Sequence, residues 1–408
     1  MALLDFLGLG DRRRRFVEQV TEGLRAGGWP HPIEADHRSL QLNLGERLGS
    51  VDLEPFLRRW VKAPRSERDA AVREAIGFVA ELDADQSFEA TRDLLVPAVR
   101  SMELALAELY GAEAQRDQNW RPLTANLAVY VAVDRRYSMS FLSPERLREW
   151  GLPFDDLLQI AVANLRERPA LAFERDDAGF HVSAGTDGND VAYLLAPEAF
   201  DTLGLQGAPV AIPATRDCLL VAGAEDIGAI EAMAIYAQRL VRQHGPVVAL
   251  APIIWSGEGW REYEPGPDQP AVLELRAMQK EFGDVCERPL LTERLRRQGR
   301  PAEVGGLSFI PADLGPQSVA LWTAPQCLLP RADYIVVRAP GGTFARTWED
   351  VEVACGGLPV EPNTSSPYHR TDAWPSDEAL ARIEAAAEPD WAEGRGVGVA
   401  NGRLTLFG

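Results

Sequence analysis

The chain is expected to fold as α+β, with helices and mainly antiparallel sheets in two or three units. Three observations carry this. Stretches with apolar residues at helical spacing are interspersed with short runs of strand type. Several of those runs are paired across tight turns, residues 127–133 with 137–142 and 210–213 with 218–222, which favours antiparallel sheet over a doubly wound parallel one. The 408 residues, 46% hydrophobic and 25% charged, supply apolar material for two or three packed cores without disulfide or metal staples.

Each element follows from local signals. Residues 11–26 read as a helix with Phe16, Val17, Val20 and Leu24 on one face, ended by Gly27-Gly28. Residues 33–44 read as a hairpin in which Leu40, Leu42 and Leu44 alternate. Helical patterns follow at 53–62, 67–82 and 88–100. Ser66 is expected to cap the second of these, with Asp69 answering as in a capping box, and Pro97 to kink or end the third. A further helix is expected at 102–110, and the polar stretch 112–122 reads as a connection.

The next segment opens on the strand pair at 127–142, crossing an Asp134-Arg135-Arg136 turn. Ser143-Pro144 then starts a helix, Ser as N-cap and Pro at the first helical position. A second helix at 153–166 carries Leu157, Ile160, Ala161 and Leu165 on its apolar stripe. A hairpin at 170–182, a strand at 191–195 and a short helix at 197–203 precede the 210–222 pair. A long helix at 227–244 and an apolar strand at 247–254 follow. Residues 261–270, rich in Glu, Gly and Pro, read as a linker or long loop. Beyond them lie a helix at 271–298, strands near 306–310, 318–323 and 334–338, and a late helix at 377–387. The expected division is a helix-rich unit at 1–111, a central α+β core at 112–260 and a C-terminal α+β unit at 261–408.

The formal net charge is −19, from 42 basic and 61 acidic residues. At long range that repels a phosphate backbone, so nucleic acid is not an expected partner. Lys62 and Lys280 are the only lysines, and neither sits in a Schiff-base or phosphate-loop motif. Cys218, Cys286, Cys327 and Cys355 are dispersed, as suits reduced thiols and a cytoplasmic location. No apolar run is long enough for an integral membrane span. The apolar start, with Leu3, Leu4, Phe6 and Leu7, followed by Arg12 to Arg15, leaves a peripheral membrane contact through the N-terminus as a minor alternative.

Three blocks in the middle third carry a family resemblance. They are Asn164-Leu165-Arg166; Gly179-Phe180-His181-Val182 through Asp187-Gly188-Asn189-Asp190 to Ala192-Tyr193-Leu194-Leu195; and Pro209 to Pro213 through Arg216-Asp217 to Leu219-Leu220-Val221. In order and spacing, residues 123–252 resemble the uncharacterised bacterial YtpQ-like family. The resemblance implies a bacterial protein and no particular reaction.

No phosphate loop, zinc-protease motif, nucleophile elbow or dinucleotide fingerprint occurs, and no catalytic residue, metal ligand or cofactor is assigned. The residues nominated for ligand or partner contact are His181, Asp187, Asp190, Arg216 and Asp217. The Asp-Gly-Asn-Asp cluster at 187–190 supplies oxygens that could hold a hard cation, but a turn is the favoured reading. Arg216, between two apolar strands, could clamp a carboxylate or phosphate with Asp217 orienting it, against the simpler reading of a solvated hairpin tip. Cys218 with His181 would form a thiol–imidazole pair only if their hairpins adjoin. Trp322, Trp348, Trp374 and Trp391 either mark a binding surface or fill a core. Taken together, the residues predict a non-enzymatic protein that binds or regulates another, its acidity matching a basic partner. The alternative is an enzyme or small-molecule sensor with a site between the central and C-terminal units.

Overall fold

The computed structural model describes residues 9–45, 48–111, 119–185, 188–244, 248–266, 268–312, 315–362, 364, 367–393, 395–400 and 403–407. Its helices are α1 (Leu9–Ala26), α2 (Glu54–Lys62), α3 (Arg68–Leu82), α4 (Phe88–Thr91), α5 (Met102–Gly111), α6 (Pro144–Trp150), α7 (Phe154–Arg166), α8 (Ile227–His244), α9 (Pro270–Arg297), α10 (Trp348–Cys355) and α11 (Asp377–Ala385). With mostly antiparallel sheets between them, the fold is α+β. The chain forms two compact units, one of Met1–Val96 with Val131–Asn164, the other of Pro97–Tyr130 with Leu165–Gly408.

In the first unit, the apolar stripe of α1 packs with α2 and α3. Phe16, Val17 and Val20 are fully buried with Leu42, Leu57, Trp60, Ala75 and Val79. A three-stranded antiparallel sheet of Glu34–Asp36, Gln41–Asn43 and Ser50–Asp52 contributes Leu42 and Val51. Gly77 is needed for a close approach, since a Cβ there would lie 2.3 Å from the Tyr137 ring. The second core of this unit gathers Val131, Val133, Leu142, Leu147, Phe154, Leu157 and Ala161. Ser143 caps α6 as expected, its hydroxyl accepting from the Arg146 N–H at 3.3 Å, with Pro144 in the first turn.

Several local expectations are corrected in the two units. Ser66 does not cap α3; the N-cap is Glu67, without a side-chain hydrogen bond. Residues 88–100 do not form one helix. Capped by Ser87, α4 ends after one turn, and Leu95–Ser101 is a strand. Pro97 explains the change, because its ring fixes φ and it has no N–H for a helical bond, while Leu95 to Val99 are all buried. Asp190–Leu195 is a 3-10 helix rather than a strand, buried at Val191, Ala192 and Leu194; a short, continuously apolar run does not distinguish the two conformations.

The second unit is built on a six-stranded antiparallel sheet. Its order is Trp260–Glu262, Ile253–Trp255, Pro209–Thr215, Cys218–Gly223, His181–Ser183, Phe173–Arg175. One face packs on α8. Val210, Ile212, Leu220 and Ala222 meet Ile230, Met233 and Ala237, all fully buried. Each large side chain of this layer contributes roughly 1.5–3 kcal/mol by leaving water. Of the expected strand at 247–254, the described residues form a strand only from Ile253, in Ile253–Trp255.

The C-terminal part carries two four-stranded sheets. In one, Leu307–Ile310, Gln317–Trp322, Tyr334–Ala339 and Gly342–Thr347 are ordered in sequence, with a parallel pair at the centre. In the other, Glu303–Val304, Cys327–Pro330, Tyr368–Thr371 and Val360–Glu361 are neighbours, the first two parallel. Trp322 and Trp348 are buried in the core with Ile335, Val337 and Val351. Trp374 stacks on Trp322 with ring centroids 6.2 Å apart, and Trp391 meets Tyr334 edge-on. These four indoles therefore act as packing groups.

Candidate functional site

The described members of the nominated set, His181, Asp190, Arg216 and Asp217, lie in the second unit, on or beside two loops at one end of the six-stranded sheet. Register pairs Leu220 with Val182 and Val221 with His181. Side chains alternate across a sheet, so Cys218, Leu220, Phe180 and Val182 face α8, while His181, Ser183 and Leu219 point to the opposite face. The Cys218–His181 pair is thus ruled out by the alternation. Burial pushes the Cys218 thiol up to about 12, with Asp217 and Asp190 adding to the effect, so it is inert as a nucleophile. His181 is held below the usual imidazole range by burial and by Arg175, partly offset by the Val221 backbone, and is neutral at pH 7.

Asp190 is 0% exposed. Its Oδ2 accepts from Ser183 Oγ at 2.6 Å and from the Gly185 N–H at 3.2 Å. Ser183 Oγ in turn accepts the Leu219 N–H at 2.9 Å, tying the loop to the neighbouring strand. Asn189 donates from Nδ2 to the Pro97 carbonyl at 2.9 Å. A Cβ on residue 185 would lie 2.0 Å from Asp190 Oδ1, so only glycine admits the carboxylate there. Gly188 has φ of 69°, which supports the turn reading of this stretch. Asp187 lies outside the described residues.

Arg216 and Asp217 are exposed at the tip between Pro209–Thr215 and Cys218–Gly223. Asp217 Oδ1 accepts from Thr215 Oγ1 at 2.7 Å. A Cβ built on Gly188 would sit 4.0 Å from Arg216 Nε, so the tip and the Asp190 loop adjoin. Arg100 is near as well: burial, then repulsion from Arg216, lowers its guanidinium from the ordinary range. The structure therefore brings Asp190, Arg216 and Asp217 close together. The Asp190 contacts brace a loop, and Arg216 is left on the surface.

Sequence reasoning missed two features. The first is a buried carboxyl–tyrosine cluster along α9. Tyr110 donates to Glu287 Oε1 at 2.6 Å, and Tyr368 to Asp284 Oδ1 at 3.4 Å. Arg294 lies over the Tyr110 ring at 5.1 Å, and Arg300 grips Glu361 through two hydrogen bonds of 3.1 and 3.2 Å. Burial raises the carboxyls of Glu103 and Asp284, and nearby Glu287 adds to it in both. The signal was present: Gln279, Asp284 and Glu287 occupy buried positions on the same helix as Leu275, Leu291 and Leu295. The tyrosines that receive them are distant in sequence, so the cluster could not be assembled without the fold.

The second is a cleft of 640 Å³ in the first unit, lined by Asp85 to Glu89, Arg146, Glu149, Trp150 and Leu152. Its walls are fastened at one carbonyl. Gln86 O accepts from Trp150 Nε1 at 3.1 Å and from Arg146 Nη1 at 3.3 Å. Phe88 and Trp150 meet edge to face at 5.6 Å, each half-buried. Three carboxylates line it against one guanidinium, and that guanidinium is ion-paired with Glu149 at 3.2 Å. Asp85 is held below the usual carboxylate range by the Ser87 N–H, then by the Ser87 side chain and Arg135. Arg135 itself donates to the Asp85 main-chain carbonyl at 2.8 Å. Glu89 is exposed and, among the described residues, has no ion-pair partner.

Among the described residues no group of three or more potential ligands could hold a metal ion, and no helix is long and apolar enough to cross a membrane. No family model, curated protein or solved structure matches the chain.

Proposed function

We propose that this chain is a non-enzymatic binding protein that recruits or regulates a protein partner through a basic segment. The cleft below Trp150 carries the reading. Its volume lies in the range of ligand-sized sites, about 300–1,000 Å³. It combines an aromatic wall, which attracts a cation at the ring face, with the carboxylates of Asp85, Glu89 and Glu149. A lysine or arginine of the partner would lay its methylene stem along Trp150 and Leu152 and direct its charge at Asp85 and Glu89. The net charge of −19 adds long-range attraction for such a partner and speeds encounter.

The proposed place of action is the cytoplasm, on the strength of four free cysteines. The kinship proposed for residues 123–252 is with the YtpQ-like proteins of bacteria, on the three blocks of residues alone. The competing reading, an enzyme or small-molecule sensor using His181, Asp187, Asp190, Arg216 and Asp217, draws on the adjacency of Gly188 and Arg216.

The test is a native-level tagged pull-down with the full chain and with Glu89→Lys, followed by mass spectrometry of proteins and small molecules. A stoichiometric basic protein, lost at high salt and absent from the variant, is the expected result. A bound metabolite with no protein partner would transfer the argument to Arg216. A partner retained equally by Glu89→Lys would remove the cleft from the interface.

A further inference from the structure

A second concavity of the first unit has the opposite charge. It measures 300 Å³ and is lined by Arg12 and Arg13 of α1 and by Glu54, Leu57, Arg58, Val61 and Lys62 of α2. Four cations thus surround one carboxylate in a chain whose net charge is −19. Helical spacing explains the arrangement: Glu54, Leu57, Arg58, Val61 and Lys62 recur at three and four residues along one face of α2. Leu57 is buried and Val61 half-buried, giving an apolar floor, while Arg12, Arg58 and Lys62 are exposed on the rim.

Glu54 neutralises only part of this charge. It pairs with Arg58 at 3.1 Å and lies 3.9 Å from Arg13. Arg13 also reaches the Arg38 carbonyl at 3.4 Å. Among the described residues neither Arg12 nor Lys62 is ion-paired. Two unneutralised cations beside an apolar floor suit an anionic amphiphile better than a simple ion, because a free phosphate would leave the floor uncovered. The residues that precede Arg12 in the sequence include Leu3, Leu4, Phe6, Leu7 and Leu9. Apolar side chains next to a basic cluster are the composition by which peripheral proteins hold an anionic bilayer surface.

We propose that the groove between α1 and α2 binds the anionic headgroups of a phospholipid surface, with Arg12 and Lys62 as the principal contacts. The association is reversible and electrostatic. It opposes the repulsion between the rest of the acidic chain and the same surface, so binding depends on local charge at this groove and weakens steeply with salt.

The test is sedimentation of the full chain with vesicles of phosphatidylcholine alone and with about 30% phosphatidylserine, an anionic surface of the kind that attracts basic segments. The expected result is binding to the serine-containing vesicles only, abolished by high salt. Arg12→Glu with Lys62→Glu is expected to weaken it by at least about tenfold, with an unchanged circular dichroism spectrum because both side chains are exposed. Lys280→Glu, an exposed charge reversal on α9, controls for net charge and is expected to leave binding intact. Failure of the wild-type chain to sediment, or equal binding by the Arg12/Lys62 variant, would overturn the proposal. So would binding to polyglutamate without binding to vesicles, which would assign the groove to an acidic protein. The basic-partner pull-down is independent of all three outcomes.

Discussion

The Asp190 segment and the cleft below Trp150 both present acidic residues at or beside the start of a short helix, and they use them in opposite ways. Asp190 is completely buried, with one oxygen held by Ser183 and Gly185. Glu89 and Asp85 are exposed, on a rim whose geometry is set by other groups, chiefly the Gln86 carbonyl that receives Trp150 and Arg146. A buried carboxylate engaged by its own loop stabilises the fold, whereas an exposed one on a rigid rim is available to a partner. Polar density in the sequence does not separate the two cases; burial does.

The largest expected effect tests the structural side of this contrast. Asp190→Ala leaves the buried Ser183 hydroxyl without its acceptor, and the exposed Gly185 N–H loses a hydrogen bond that water can replace. An unsatisfied buried group costs about 1–3 kcal/mol. Urea denaturation should show that loss, while the variant at a temperature where it is folded should hold its partner as the wild type does. A normal midpoint for Asp190→Ala together with lost partner binding would invert the comparison and move the binding site to this loop.

Much of the fold was legible because its signals are local. Leu40 and Leu42 alternate in the first hairpin, Ser143-Pro144 starts α6, and the long helix expected at 227–244 is α8. The failures arose where tertiary context decides. Pro97 turned an expected helix into a strand, and a buried apolar run at Val191 became 3-10. Of the sites, the turn at Gly188 and the Arg216 tip could be located from sequence, but their adjacency could not. The cleft joins residues 85–89 to 146–152, and no spacing rule connects segments that far apart. The cluster on α9 has the same cause, since Tyr110 and Tyr368 arrive from distant parts of the chain.

A smaller effect should come from His181, on the same sheet face as Ser183. Its folded pKa lies below that of the unfolded chain, so the unfolded state takes up the proton more readily. Stability from this group is therefore full above the unfolded value, about 6.5, and falls as pH drops below it toward the lowered folded value. His181→Gln should flatten that part of the stability curve between pH 7 and 5. An unchanged slope would mean that the imidazole protonates equally in both states, and that this face of the sheet is wetter than its burial implies.

The smallest expected effect belongs to Arg216, the exposed member of the nominated set. Its guanidinium stands beside Gly188 and near Arg100, a like charge that it repels. Removing an exposed side chain of this kind changes stability by no more than about 0.5 kcal/mol, and relief of the repulsion acts in the stabilising direction. Arg216→Ala should therefore unfold within that margin of the wild type and bind the partner equally well. The measurement sharpens the contrast from the other end. If Arg216→Ala is folded and stable yet loses a small anionic ligand that the wild type retains, the tip is a recognition site in its own right, and the division between a bracing loop and a binding cleft no longer holds for this protein.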